Sequence, residues 1–114
     1  MPLSSLNLNQ VLVQVDDFEA ALTFYQALGL RLIVSERGDY ARFETPDGSS
    51  TFSISLADRV HANGTEICFE VDDVDAACAQ LKARGLTLES EPEDKSWLWR
   101  EASLRDPSDN RILI

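Results

Sequence analysis

The strongest constraint on this chain is that it repeats itself. Setting Gln10 over Glu66 makes identities of Val15, Asp16, Asp17, Ala20 and Ala21 with Val71, Asp72, Asp73, Ala76 and Ala77. The alignment continues without a gap until Gly29, Leu30 and Leu32 meet Gly85, Leu86 and Leu88. Self-similarity of residues 10–32 with 66–88 means that one supersecondary unit is used twice, and fold classes without such a unit are excluded. A chain of 114 residues fits one domain, so the expectation is a single domain over 1–114 built from two modules, about 7–57 and 64–114.

Each copy opens with apolar residues at alternate positions, Val11, Val13 and Val15 in one and Ile67, Phe69 and Val71 in the other, the pattern of a half-buried strand. A helix follows in each. Asp17 and Asp73 suit the N-cap, Phe18, Ala21, Leu22 and Tyr25 fall at helical spacing, and Gly29 and Gly85 suit the left-handed position just past the helix end. Further strands are expected near 31–36, 40–45 and 51–56, then near 86–90, 97–104 and 111–114. Pro46-Asp47-Gly48 and Asp106-Pro107-Ser108-Asp109-Asn110 mark turns. The reading is therefore α+β, two tandem βαβββ modules, with the polar stretch from Ala57 to Gly64 joining them.

Charge narrows the partners. A formal net charge of -10 and a pI near 4.3 give no basic footprint for phosphate, which argues against nucleic acid and anionic membranes and leaves a neutral or cationic small molecule. No stretch approaches the roughly 18 apolar residues of a membrane helix and no secretory leader is visible, so a cytoplasmic location is expected. Cys68 and Cys78 are too few for a disulfide framework and are expected to be thiols.

The run from Val15 to Leu30, with its acidic helix start, Phe24-Tyr25 and Leu28-Gly29, resembles the opening of a glyoxalase/bleomycin-resistance module. Trp97 to Asn110 resembles the closing segment of the same family, the vicinal oxygen chelate superfamily, and the resemblance spans almost the whole chain. It implies paired modules whose curved mixed sheet surrounds a cavity for a divalent metal or an organic ligand. It also implies a homodimer, the commonest symmetric assembly in any case.

Strand alternation tests that reading separately, because one parity faces the helices and the other faces away. The helix-facing set is apolar, including Val15, Phe43, Phe52, Ile54, Leu56, Phe69, Val71, Leu104 and Ile112. The other set is polar, acidic and aromatic: Gln10, Leu12, Gln14, Tyr40, Arg42, Thr51, Ser53, Ser55, Glu66, Cys68, Glu70, Trp97, Trp99, Glu101, Ser103 and Leu113. Such a face is either the solvated side of an antiparallel sheet or a pocket wall, and the resemblance favours the pocket. Trp97 and Trp99 suit a ligand wall, with a dimer contact as the alternative use.

Metal-dependent members of the family place ligands at the start of each module's first strand and near the end of its last. The first pair falls on Gln10 and Glu66, both able to offer oxygen to a divalent ion. The others fail. Thr51 to Ala57 holds no Asp, Glu or His, and the closing position falls on Leu113. Two donors make a weak site for an ion that wants about four to six.

No catalytic residue is assigned. His61, the sole histidine, sits in the connecting stretch as an ordinary surface residue, and no phosphate loop or nucleophile elbow is present. Glu66, Glu70 and Glu101 form either a pocket carboxylate group or a solvated charge cluster near Arg42. The expectation is a protein without cofactor that sequesters a cationic or aromatic ligand through Tyr40, Arg42, Glu70, Trp97, Trp99 and Glu101, resembling drug-sequestering members. The alternatives are a metal-dependent lyase, isomerase or dioxygenase using Gln10 and Glu66, and an accessory domain whose face pairs with another protein.

Overall fold

The structure, a computed structural model, describes residues 8–60, 65–96 and 99–114. His61 and Trp97 lie outside the described residues. The first module runs β1 (Gln10–Val15), α1 (Phe18–Leu28), β2 (Arg31–Glu36), β3 (Tyr40–Glu44) and β4 (Thr51–Leu56). The second repeats it as β5 (Glu66–Cys68), α2 (Val74–Ala83), β6 (Leu88–Lys95), β7 (Trp99–Arg105) and β8 (Arg111–Leu113). No described helix is long and apolar enough to cross a membrane.

Both helices start where the sequence places them, because each aspartate side chain accepts a bond from a free first-turn amide. Asp17 Oδ1 takes the Ala20 N–H at 3.1 Å and Asp73 Oδ1 takes that of Ala76 at 3.0 Å. At the far end of α1, Gly29 adopts φ 120°, a conformation that a side chain would strain.

Each module forms a four-stranded mixed sheet, ordered β1-β4-β3-β2 and β5-β8-β7-β6. The first strand of each module pairs in parallel with its last, which requires the helix to cross over the sheet between them. No strand pair joins the two sheets among the described residues, so the mixed sheet is divided between the edge strands β1 and β5.

Three details depart from the sequence reading. Strand β6 extends to Lys95, well past the expected 90, because its polar run pairs with β7 through backbone groups at a sheet edge. Pro92 falls within the register shift between Ser90 and Glu93, where no ladder N–H is needed. Strand β5 stops at Cys68, so Val71 lies beyond the ladder and is 36% exposed. Leu56, at the last pair of β1 and β4, is 43% exposed. Alternation assigns both to the core; at strand ends the alternation continues but there is no layer left to cover it.

The core draws on both modules. Tyr25, Phe43, Phe52, Ile54, Leu104 and Ile112 are essentially without solvent contact and belong to one apolar cluster. Tyr25 packs its ring 4.7 Å from Phe52 and 5.0 Å from Phe24, while Phe52 meets Phe69 of the second module at 5.9 Å. Large buried side chains contribute about 1.5–3 kcal/mol each, so this cluster is the main reason that the modules stay together. A polar latch closes the seam. The Tyr25 hydroxyl donates to Asp106 Oδ2 at 2.6 Å, the Ser108 hydroxyl exchanges bonds with the Asp16 amide and carboxylate, and Asn110 Nδ2 donates to the Gln14 carbonyl at 3.0 Å.

Candidate ligand-binding site

The helix-facing sides of both sheets meet in that core, so the opposite faces turn outward. On the first module this open face carries Gln10, Leu12 and Gln14 of β1, beside Thr51, Ser53 and Ser55 of β4, with Tyr40 and Arg42 of β3 next to them. Ser53 Oγ donates to Gln10 Oε1 at 2.7 Å and lies 3.2 Å from the Tyr40 hydroxyl. Arg42 Nη2 donates to Thr51 Oγ1 at 2.9 Å, while its buried Nε has no hydrogen-bond partner among the described residues.

The open face of the second module is charged. Glu66 and Cys68 of β5 stand opposite Arg111 and Leu113 of β8, and Ser103, Glu101 and Trp99 follow along β7. Arg111 Nη1 lies 2.5 Å from Glu66 Oε2, and its Nε lies 3.6 Å from Glu89, which also pairs with Arg105 at 2.5 Å. The sequence reading missed Arg111, Arg105 and Glu89. Alternation from Leu113 points Arg111 to this face and alternation from the core-packed Leu88 points Glu89 there, while the register shift between Leu88 and Ser90 turns Ser90 to the same side, 2.8 Å from the Ser103 hydroxyl.

Glu66, Glu70 and Glu101 do gather, and Cys68 registers it. Burial pushes the thiol pKa above its ordinary value, and the negative charges of Glu101, Glu70 and Glu66 push it further, so the thiolate nucleophile is disfavoured. Glu70 and Glu101 have no ion-pair partner among the described residues. Trp99 nearby is 40% exposed. A small cleft of about 280 Å³ brings Trp99 together with Glu70, Phe69, Val71 and Val74; its one cation among the described residues, Arg100, is already paired with Asp75 and Asp94. Arg42 is not part of this group. Gln10, Tyr40 and Arg42 lie on the first module's sheet and Glu66, Trp99 and Glu101 on the second's, with no strand pair joining the sheets among the described residues, so one chain divides the expected ligand-binding residues between two sheets.

The residues do not fit a metal centre. Gln10 Oε1 is taken by the Ser53 hydroxyl, and Glu66 faces a guanidinium that puts positive charge where an ion would sit. Leu113 offers no donor, and no group of three His, Cys, Asp or Glu side chains suited to an ion occurs among the described residues.

The sequence model of the Glyoxalase/Bleomycin resistance protein/Dioxygenase superfamily matches residues 7–114. The uncharacterized protein YraH of Bacillus subtilis (strain 168) is 30% identical over 125 residues, covering 96% of this chain and 97% of that protein. A lactoylglutathione lyase from Agrobacterium tumefaciens superposes with a TM-score of 0.78 at 22% identity, over 99% of this chain and 93% of that one. A bleomycin resistance determinant encoded on the transposon Tn5 gives 0.77 at 19% identity, over 95% of each chain. At these identities the structural likeness speaks for the fold alone. The repeat, the paired βαβββ modules and the family match along the chain agree: this protein belongs to the Glyoxalase/Bleomycin resistance protein/Dioxygenase superfamily.

Proposed function

We propose that the protein binds a cationic or aromatic small molecule on its open sheet faces and does so without a metal. The observation that carries this reading is the gathering of Glu66, Glu70 and Glu101 around Cys68 beside the half-exposed Trp99, with Glu70 and Glu101 uncompensated among the described residues. An indole face and nearby carboxylates attract the same kind of ligand, one that carries positive charge on or near a planar group. The Glu66–Arg111 pair supports metal-free binding, since an internal guanidinium already neutralises the carboxylate that an ion would need.

The working unit in this reading is a homodimer. Both open faces turn away from the shared core, so a second copy is what brings Tyr40 and Arg42 of one chain opposite the acidic face of the other. Antibiotic sequestration is one use that such a site would serve.

Two measurements test the proposal. Protein purified without chelator is assayed for metal and melted with Mn²⁺, Ni²⁺, Zn²⁺ and Fe²⁺; no stoichiometric metal and no rise in Tm is the expected result. A panel of cationic aromatic dyes is then titrated against tryptophan fluorescence, with quenching that weakens in Trp99→Leu and Glu101→Gln. Near-stoichiometric metal that is lost in Glu66→Ala overturns the metal-free reading and points to lyase, isomerase or dioxygenase assays. Quenching indifferent to both variants overturns the site.

A further inference from the structure

A further cavity shares Cys68 and Glu70 with the second module's acidic face and reaches across to the first module. It occupies about 630 Å³ at the seam between the modules, among the C-terminal end of α1 (Leu28, Gly29, Leu30), the turn between β3 and β4 (Thr45 to Ser50), the segment from Cys68 to Asp72, and Ile114. That volume is in the range of small-molecule pockets. Its chemistry is one-sided. Leu28, Phe69, Val71 and Ile114 supply apolar wall, Asp47, Glu70 and Asp72 supply carboxylates, and no Lys or Arg among the described residues lines it.

The carboxylates are held ready in different ways. Asp47 Oδ1 accepts from Thr45 Oγ1 at 2.8 Å, from the Ser49 amide at 3.0 Å and from the Ser49 hydroxyl at 2.8 Å, so the turn itself maintains the charge. Those bonds lower its pKa to about 2, and it stays ionised through any physiological range. Glu70 and Asp72 make no ion pair among the described residues. A neutral apolar ligand would leave these groups without a counter-charge, and an anion would be repelled by all three.

We propose that this seam is a second binding site, for an organic ammonium ion with an apolar body. The alkyl or aryl body lies on Leu28, Phe69 and Val71, and the ammonium group sits between Asp72, Glu70 and Asp47. Because the cleft is built from both modules, the ligand bridges them. The cavity shares Phe69, Glu70, Val71 and Ile114 with the Trp99 cleft, while Leu28, Asp47 and Asp72 line this one alone and Trp99 only the other, so shifts at those residues tell the two apart.

The test uses n-octylammonium, with n-octanol as the uncharged comparison, titrated into the full chain by calorimetry and by amide chemical shifts. Saturable octylammonium binding is expected, with shifts at Asp47, Asp72 and Leu28. The affinity falls about tenfold or more in the double variant Glu70→Gln with Asp72→Asn, while octanol responds little. Val71→Arg, which puts a cation at the exposed wall, removes binding without touching a buried residue. Absence of saturable binding overturns the proposal, as does an affinity unchanged in the double variant. Shifts confined to Trp99 and Glu101 that vanish in Glu101→Gln also overturn it, and would leave the open-face reading standing. Octylammonium binding that persists when dye quenching fails would sink the open-face reading instead.

Discussion

Replacing Tyr25 with Phe removes one oxygen atom and little else, which makes it the sharpest probe of how the modules are held together. The ring has no solvent contact and packs against Phe24, Phe43 and Phe52, contacts that a phenylalanine keeps. What is lost is a 2.6 Å hydrogen bond to Asp106, which is 4% exposed. Asp106 still accepts from the amides of Ser108 at 2.9 Å and Asn110 at 2.7 Å and from Asn110 Nδ2 at 2.9 Å. Its charge is therefore weakened in solvation but not orphaned. A hydrogen bond to a charged group contributes about 1.5–3 kcal/mol, and the surviving donors place this one near 2 kcal/mol. Against a total stability of roughly 5–15 kcal/mol that is a large share, and it corresponds to a Tm lower by about 10 °C. Asp106→Ala strips all four donors at once and should cost about 4 kcal/mol or more. Urea unfolding at pH 7 measures both, with Tyr40→Phe as the control, because its hydroxyl meets Ser53 in a part-buried contact worth about 1 kcal/mol or less. If Tyr25→Phe unfolds within about 0.5 kcal/mol of the parent, the latch contributes nothing and the argument from its burial is wrong.

Three further outcomes follow from the same geometry. Alkylation of Cys68 by iodoacetamide at pH 8 should be slow and should quicken in Glu101→Gln, which removes a charge that raises the thiol pKa; an unchanged rate would mean that the carboxylates do not surround it. Burial, then the charge and hydrogen bond of Asp106, raise the Tyr25 pKa in the folded chain above its ordinary 10.0. The unfolded chain then loses this proton first, so stability should be full below pH 10 and fall as pH rises above it, less steeply in Tyr25→Phe. Removing either helix cap, as Asp17→Ala or Asp73→Ala, should lower stability by about 1 kcal/mol in chemical denaturation, and a cost near zero in both would show that the caps are replaced by water.

Much of the fold is legible in the amino-acid order. The module repeat, the Asp17 and Asp73 caps, the Gly29 helix end and the two marked turns are written in short stretches of chain, and local hydrogen bonds form them wherever the rest of the protein goes. The division of strand residues into core and open faces is legible for the same reason, and it fails at Leu56 and Val71, where a strand runs out of neighbours. The candidate site is legible only in part. Glu66 and Glu101 lie on the open face by alternation and, with Glu70 just past the end of β5, surround Cys68 with negative charge, while Arg42 lies with the other module. The Glu66–Arg111 pair arises because β5 and β8 run parallel in one particular register.

The sequence by itself thus determined which units form and, strand ends apart, which residues each unit turns to the core, since strand and helix periods need only neighbours along the chain. Only the tertiary structure decided how the two units meet. That choice rests on contacts between residues far apart in sequence, Tyr25 with Asp106, Asp16 with Ser108, Gln14 with Asn110 and Phe52 with Phe69. None of these is implied by a local pattern. They turn both open faces outward and leave an acidic, apolar-walled cleft at the seam, because a surface made by two modules is encoded in neither one alone.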